Sequence, residues 1–160
     1  MIDIKTLTLL PQDELLQASI LEIEASRRYR QLALSFLPYD ADRSQRMTQL
    51  GIACEHRIDA LKWAAESLGL GACVALPDTL SPSHGGSGQG GDCFIVDDAT
   101  ADLVWQETLD AALEGHRFAR RLLGVNGTPE LERPLLEYAR QKASECDVLM
   151  ERYAGHARQA

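Results

Sequence analysis

Four times along the chain, apolar side chains recur at alternating spacings of three and four, and each run is long enough for a helix of about seven turns. The first run is Leu15, Ala18, Glu22, Ala25, Tyr29, Leu32 and Phe36, over residues 12–36. Leu37-Pro38-Tyr39-Asp40 stops it, and Asp40, Asp42 or Ser44 can cap the second helix. That helix carries Met47, Leu50, Cys54, Ile58, Leu61, Ala65 and Leu68 and ends at Gly69 and Gly71. The third, from about Thr100 to Leu123, carries Trp105, Leu109, Ala112, His116, Ala119 and Leu123. Thr128-Pro129-Glu130 opens the fourth with a capping residue, a proline and a first-turn acid, and its stripe reads Leu136, Ala139, Ala143, Cys146, Met150 and Tyr153.

Residues 70–98 break this pattern. Pro77, Pro82 and the glycines at 85, 86, 88, 90 and 91 forbid a helix. No strand precedes the Gly-Ser stretch and no Gly-Lys-Ser/Thr follows it, so it reads as a flexible linker, not a phosphate loop. Short turns join helices one to two and three to four, which predicts two antiparallel hairpins. The long segment has ample reach to cross the length of a bundle. The expectation is an all-α four-helix bundle, with residues 1–160 as one domain and a Gly/Ser/Pro-rich crossover at about 70–98.

Each stripe is interrupted near its middle. Glu22 interrupts the first. Cys54 interrupts the second, with Arg57 beside it. His116 interrupts the third, and Cys146 the fourth, with Glu145 flanking. In a bundle these positions meet at one level. A carboxylate buried there needs a partner, and the candidates for Glu22 are Arg57, His116 or an ion. The halves also echo one another. Ala18-x3-Glu22-x2-Ala25 matches Ala112-x3-His116-x2-Ala119, and small residues stand three before both Cys54 and Cys146.

Glu22-Ile-Glu-Ala-Ser-Arg-Arg-Tyr29 resembles the first helix of rubrerythrin-like members of the ferritin-like superfamily, in which a ligand Glu precedes a Tyr by seven residues. Leu50-Gly-Ile-Ala-Cys54-Glu-His-Arg57-Ile-Asp-Ala-Leu61 resembles their second helix, which carries a Glu-x-x-His pair. The resemblance implies a ferritin-like bundle with a central metal site. In that register the Glu-x-x-His positions hold Cys54 and Arg57 on helix two and Cys146 and Leu149 on helix four, while the Glu position of helix three holds His116. The implied ligand set is Glu22, Cys54, His116 and Cys146, with Tyr29, Arg57 and Glu145 around it. Two thiolates in the set favour zinc or copper over a pair of irons. A second register takes Glu22, Glu55, Glu114 and Glu145.

Two functions follow as expectations. One is a metal-binding protein of oxidoreductase type, with one zinc, copper or iron ion at a non-standard site. The other is a metal-free bundle that serves as a structural or interaction dimer, favoured by Arg57, a cation that would repel a metal ion. Leu16, Ile20 and Ile23 on helix one, and Ile52, Trp63 and His56 on helix two, form a second face. The expectation is a homodimer through helices one and two. The net charge of −8 comes with no basic stripe or polybasic segment, which excludes nucleic acid and membrane surfaces as expected partners. Met1-Ile2-Asp3-Ile4-Lys5 lacks the pattern of a signal peptide, so the chain reads as cytoplasmic, with Cys54, Cys73, Cys93 and Cys146 reduced.

Overall fold

A computed structural model describes residues 9–76 and 94–156, with side chains as far as 151. Among them are four α helices and a single 3-10 turn: α1 (Pro11–Phe36), α2 (Ala41–Ser67), the turn at Gly71–Cys73, α3 (Asp98–Val125) and α4 (Pro129–His156). No strand occurs among the described residues beyond an isolated parallel bridge between Leu9 and Asn126. The Gly-Ser stretch expected to cross the bundle lies outside the described residues.

Local chemistry sets the helix ends. Pro11 occupies the first turn of α1, where a missing N–H costs nothing. Of the three capping candidates for α2, Asp40 is the one that acts, accepting from the Arg43 N–H at 3.0 Å. Gly69 ends α2 in the left-handed conformation (φ 70°), which lets the Leu70 N–H reach the Ala65 carbonyl at 2.8 Å. The cap of α3 is Asp97, three residues before the expected start near Thr100. Between α3 and α4, Asn126 closes the turn by exchanging hydrogen bonds with the Thr128 backbone.

α1 packs mainly on α2, and α3 mainly on α4. The apolar core forms two clusters. One gathers Tyr29, Phe36, Met47, Cys54, Trp105 and Leu149. The other gathers Leu15, Leu61, Ala65, Leu122, Leu131 and Leu135. The stripes of the first three helices are buried as expected, apart from His116 and Leu32 and the terminal Leu68 and Leu123, which are half-buried.

The fourth helix differs from expectation. Leu136 and Met150 are exposed, and the buried face is Leu131, Leu135, Tyr138, Lys142, Glu145 and Leu149. The true stripe is one residue earlier, a rotation of about 100°. Ala139 and Cys146 are buried in both readings because they border it. The rotation takes a lysine and a glutamate into the core.

The second face on α1 is also smaller than expected. Ile23 is buried with Ile58 and Ala75, and Ile20 packs against them. Ser19 holds this arrangement, accepting the Ala75 N–H at 2.9 Å. Leu16, Ile52 and Trp63 remain exposed.

Candidate functional site

Between the two apolar clusters lies a layer of charge. α1 contributes Glu22, α2 contributes Arg57 and Cys54, and α4 contributes Tyr138, Lys142 and Glu145, with Tyr29 completing it from the next turns of α1. Each of these residues is at least 97% buried. Burial of four formal charges costs several kcal/mol per ion unless geometry returns it, and here every carboxylate oxygen is occupied.

Glu22 accepts from Arg57 Nε at 2.8 Å and from the Tyr138 hydroxyl at 2.9 Å, and Lys142 Nζ stands 3.2 Å from it. Glu145 accepts from the Tyr29 hydroxyl at 2.6 Å, from Lys142 Nζ at 3.2 Å to both oxygens, and from Arg57 Nη2. Arg57 Nη2 also reaches Cys54 Sγ at 3.2 Å. The two tyrosines are exchanged. Glu22 of α1 takes a hydroxyl from α4, and Glu145 of α4 takes one from α1. Because 22 faces 138 and 29 faces 145, α1 and α4 run in the same direction.

α3 supplies space, not charge. Gly115 lies against Lys142, and a Cβ there would sit 3.1 Å from the lysine Cε and 3.3 Å from Nζ. The neighbouring His116 is half-buried and makes no hydrogen bond or ion pair with Glu22 or Arg57.

The titration behaviour follows from this packing. Burial alone would raise the Glu22 carboxyl, but Lys142 and Arg57, with the hydrogen bonds from Arg57 and Tyr138, hold it below the ordinary carboxylate value. Burial, with Glu145 beside Tyr29 and Glu22 beside Tyr138, pushes both phenols upward, so they stay donors. The Cys54 thiol is pushed up to about 12, first by burial and then by Glu22, with Arg57 opposing. Burial outweighs the opposing guanidinium at this thiol. Cys146 is shifted the same way, chiefly by burial.

The residues expected around a metal thus have different company. Glu22, Arg57, Tyr29, Glu145 and Cys54 come together; His116 does not join them. The all-glutamate register is not assembled. Glu55 pairs with Arg30 at the surface, Glu114 with Arg117, and only Glu22 and Glu145 reach the centre. Among the described residues no three His, Cys, Asp or Glu side chains gather so as to hold a metal ion. A metal ion does not fit this donor set, since the carboxylate lone pairs already accept from two cations and two phenols.

Lys142 and Tyr138 were missed by reasoning from the sequence. For Tyr138 a signal exists: Tyr138-x6-Glu145 reverses Glu22-x6-Tyr29, and both spacings are seven residues on one helical face.

No protein-family model, curated protein or solved structure matches this chain. No described helix is long and apolar enough to cross a membrane.

Proposed function

We propose that the protein is a ferritin-like bundle in which side-chain cations occupy the place of the metal centre, and that it acts by binding and not by metal chemistry. The observation that carries this reading is the sharing of both carboxylates by the same two cations. Glu22 and Glu145 each meet Arg57 and Lys142, so the centre is charge-balanced by the chain itself. The shared direction of α1 and α4 supports a reading as two antiparallel hairpins joined by a long crossover. So do Ala75, seated beside Ser19 early in α1, and Ile95, whose N–H bonds Ser35 at its far end.

The test is metal uptake. Reduced protein incubated with zinc, copper and iron, then desalted, is weighed by native mass spectrometry. The expected mass is that of the bare chain. One metal equivalent, lost in Glu22→Gln, would overturn the reading.

A further inference from the structure

A cleft of about 450 Å³ opens between α2 and α4. Its size lies within the range of small-molecule sites. Leu61, Ala64 and Pro134 give it apolar walls, and Arg57 and Tyr138 line its inner end. Trp63 also lines it and is 76% exposed. That is a large aromatic surface left in water beside an apolar hollow. Beyond Arg57 and Gln141 a second cavity of about 320 Å³ continues along the same two helices, reaching Leu50 and Val148.

We propose that this cleft binds a neutral, planar aromatic molecule bearing one hydrogen-bond acceptor, its ring on Trp63 and its acceptor directed at Arg57. Three observations select that chemistry. The first is the aromatic face of Trp63 with apolar walls beside it, which favours a flat ring by stacking and burial. The second is the guanidinium. Arg57 spends Nε on Glu22 and Nη2 on Glu145 and Cys54, while Nη1 makes no hydrogen bond among the described residues. A guanidinium nitrogen only donates, so its partner must accept. The third is charge. Glu22 and Glu145 already balance Arg57 and Lys142, and the other two charged residues of the lining, the exposed Arg133 and Glu137, are of opposite sign, so an ionised ligand would bring an uncompensated charge to the buried layer. A carbonyl meets the donor without that cost.

The inference deepens the metal-free reading and rests on it, because it needs Arg57 held by the two carboxylates. The experiment uses the full chain and three probes of one shape: 2-acetylnaphthalene, 2-ethylnaphthalene and 2-naphthoate, titrated by calorimetry. The acetyl compound should bind about tenfold more tightly than the ethyl compound, and the naphthoate no more tightly than the acetyl. Ala64→Trp, which fills the cleft from its wall, and Trp63→Ala, which removes the stacking face, should each weaken the acetyl compound tenfold or more with the thermal melt preserved. Arg57→Lys should narrow the preference for acetyl over ethyl.

Failure of the wild type to bind, equal binding of acetyl and ethyl, or binding indifferent to Ala64→Trp would overturn the inference while leaving the metal-free reading intact. So would a dimer in light scattering that Trp63→Ala dissociates, because the cleft would then be a subunit interface. Metal uptake by the same sample would overturn both.

Discussion

Glu22 and Glu145 lie on helices that are not joined to each other in sequence, yet they are clasped by one arginine and one lysine and each borrows a hydroxyl from the other's helix. The strength of such a layer lies in its completeness. A buried ion pair adds little over a well-packed apolar core, but removing one member leaves charges stranded.

Glu22→Gln should therefore destabilise the fold by about 3–5 kcal/mol, read from urea unfolding at neutral pH. The pH dependence has a definite sign. The folded carboxyl titrates below its unfolded value of about 4.3, so its contribution is present above that pH and is lost as pH falls through the folded value. The gap between wild type and Glu22→Gln should close in acid. A gap that stays constant down to pH 2 would contradict the pairing.

Glycine-to-alanine exchange inside a helix ordinarily stabilises by up to about 1 kcal/mol. Gly124→Ala meets open space and should show a gain of that sign. Gly115→Ala presses on Lys142, which its ion pairs hold in place, and should lose stability. Thermal melts of the two variants give opposite shifts if Gly115 is there to make room for the lysine.

Glu14 is fully buried in the first turn of α1, and neither carboxylate oxygen has a hydrogen-bond partner among the described residues. Burial raises its carboxyl to about 7. An acid raised in the folded state stabilises fully below its unfolded value and loses that contribution as pH climbs toward 7. Glu14→Gln should accordingly be more stable than wild type at pH 8, by about 1–2 kcal/mol, and lose that advantage at pH 4. Chemical denaturation at the two pH values decides it.

The thiols should be graded by access. Cys73 is half-exposed, whereas Cys54 is buried and its thiol is pushed up to about 12. Alkylation of native protein with iodoacetamide at pH 8, followed by peptide mass mapping, should label Cys73 well before Cys54 and Cys146. Rapid labelling of Cys54 would contradict its place in the charged layer.

The four helices, their stops and the central level of Glu22, Cys54 and Arg57 were legible because apolar periodicity and glycine or proline punctuation are local signals. The fourth stripe was not. Leu136, Ala139, Ala143 and Met150 make a plausible apolar face, and nothing local says that Lys142 belongs inside. Its place is fixed by groups on other helices, namely Glu22 and the hollow at Gly115. His116 was drawn to the centre by its spacing from Ala112 and Ala119. The chain instead presents the adjacent glycine, since the bulk facing it comes from α4.

The charges of the central layer are divided evenly along the sequence. The first half of the chain brings one acid and one base, Glu22 and Arg57, and the second half brings another of each, Glu145 and Lys142. Each half is thus neutral at its own contribution to the layer, and its acid already touches its base. Two fragments divided between residues 76 and 94 would meet without electrostatic mismatch. Exchange of a half between two copies of the chain would rebuild the same four-charge cluster. The order of the charges thus leaves neither half with an unbalanced ion at this layer, independent of whatever joins them.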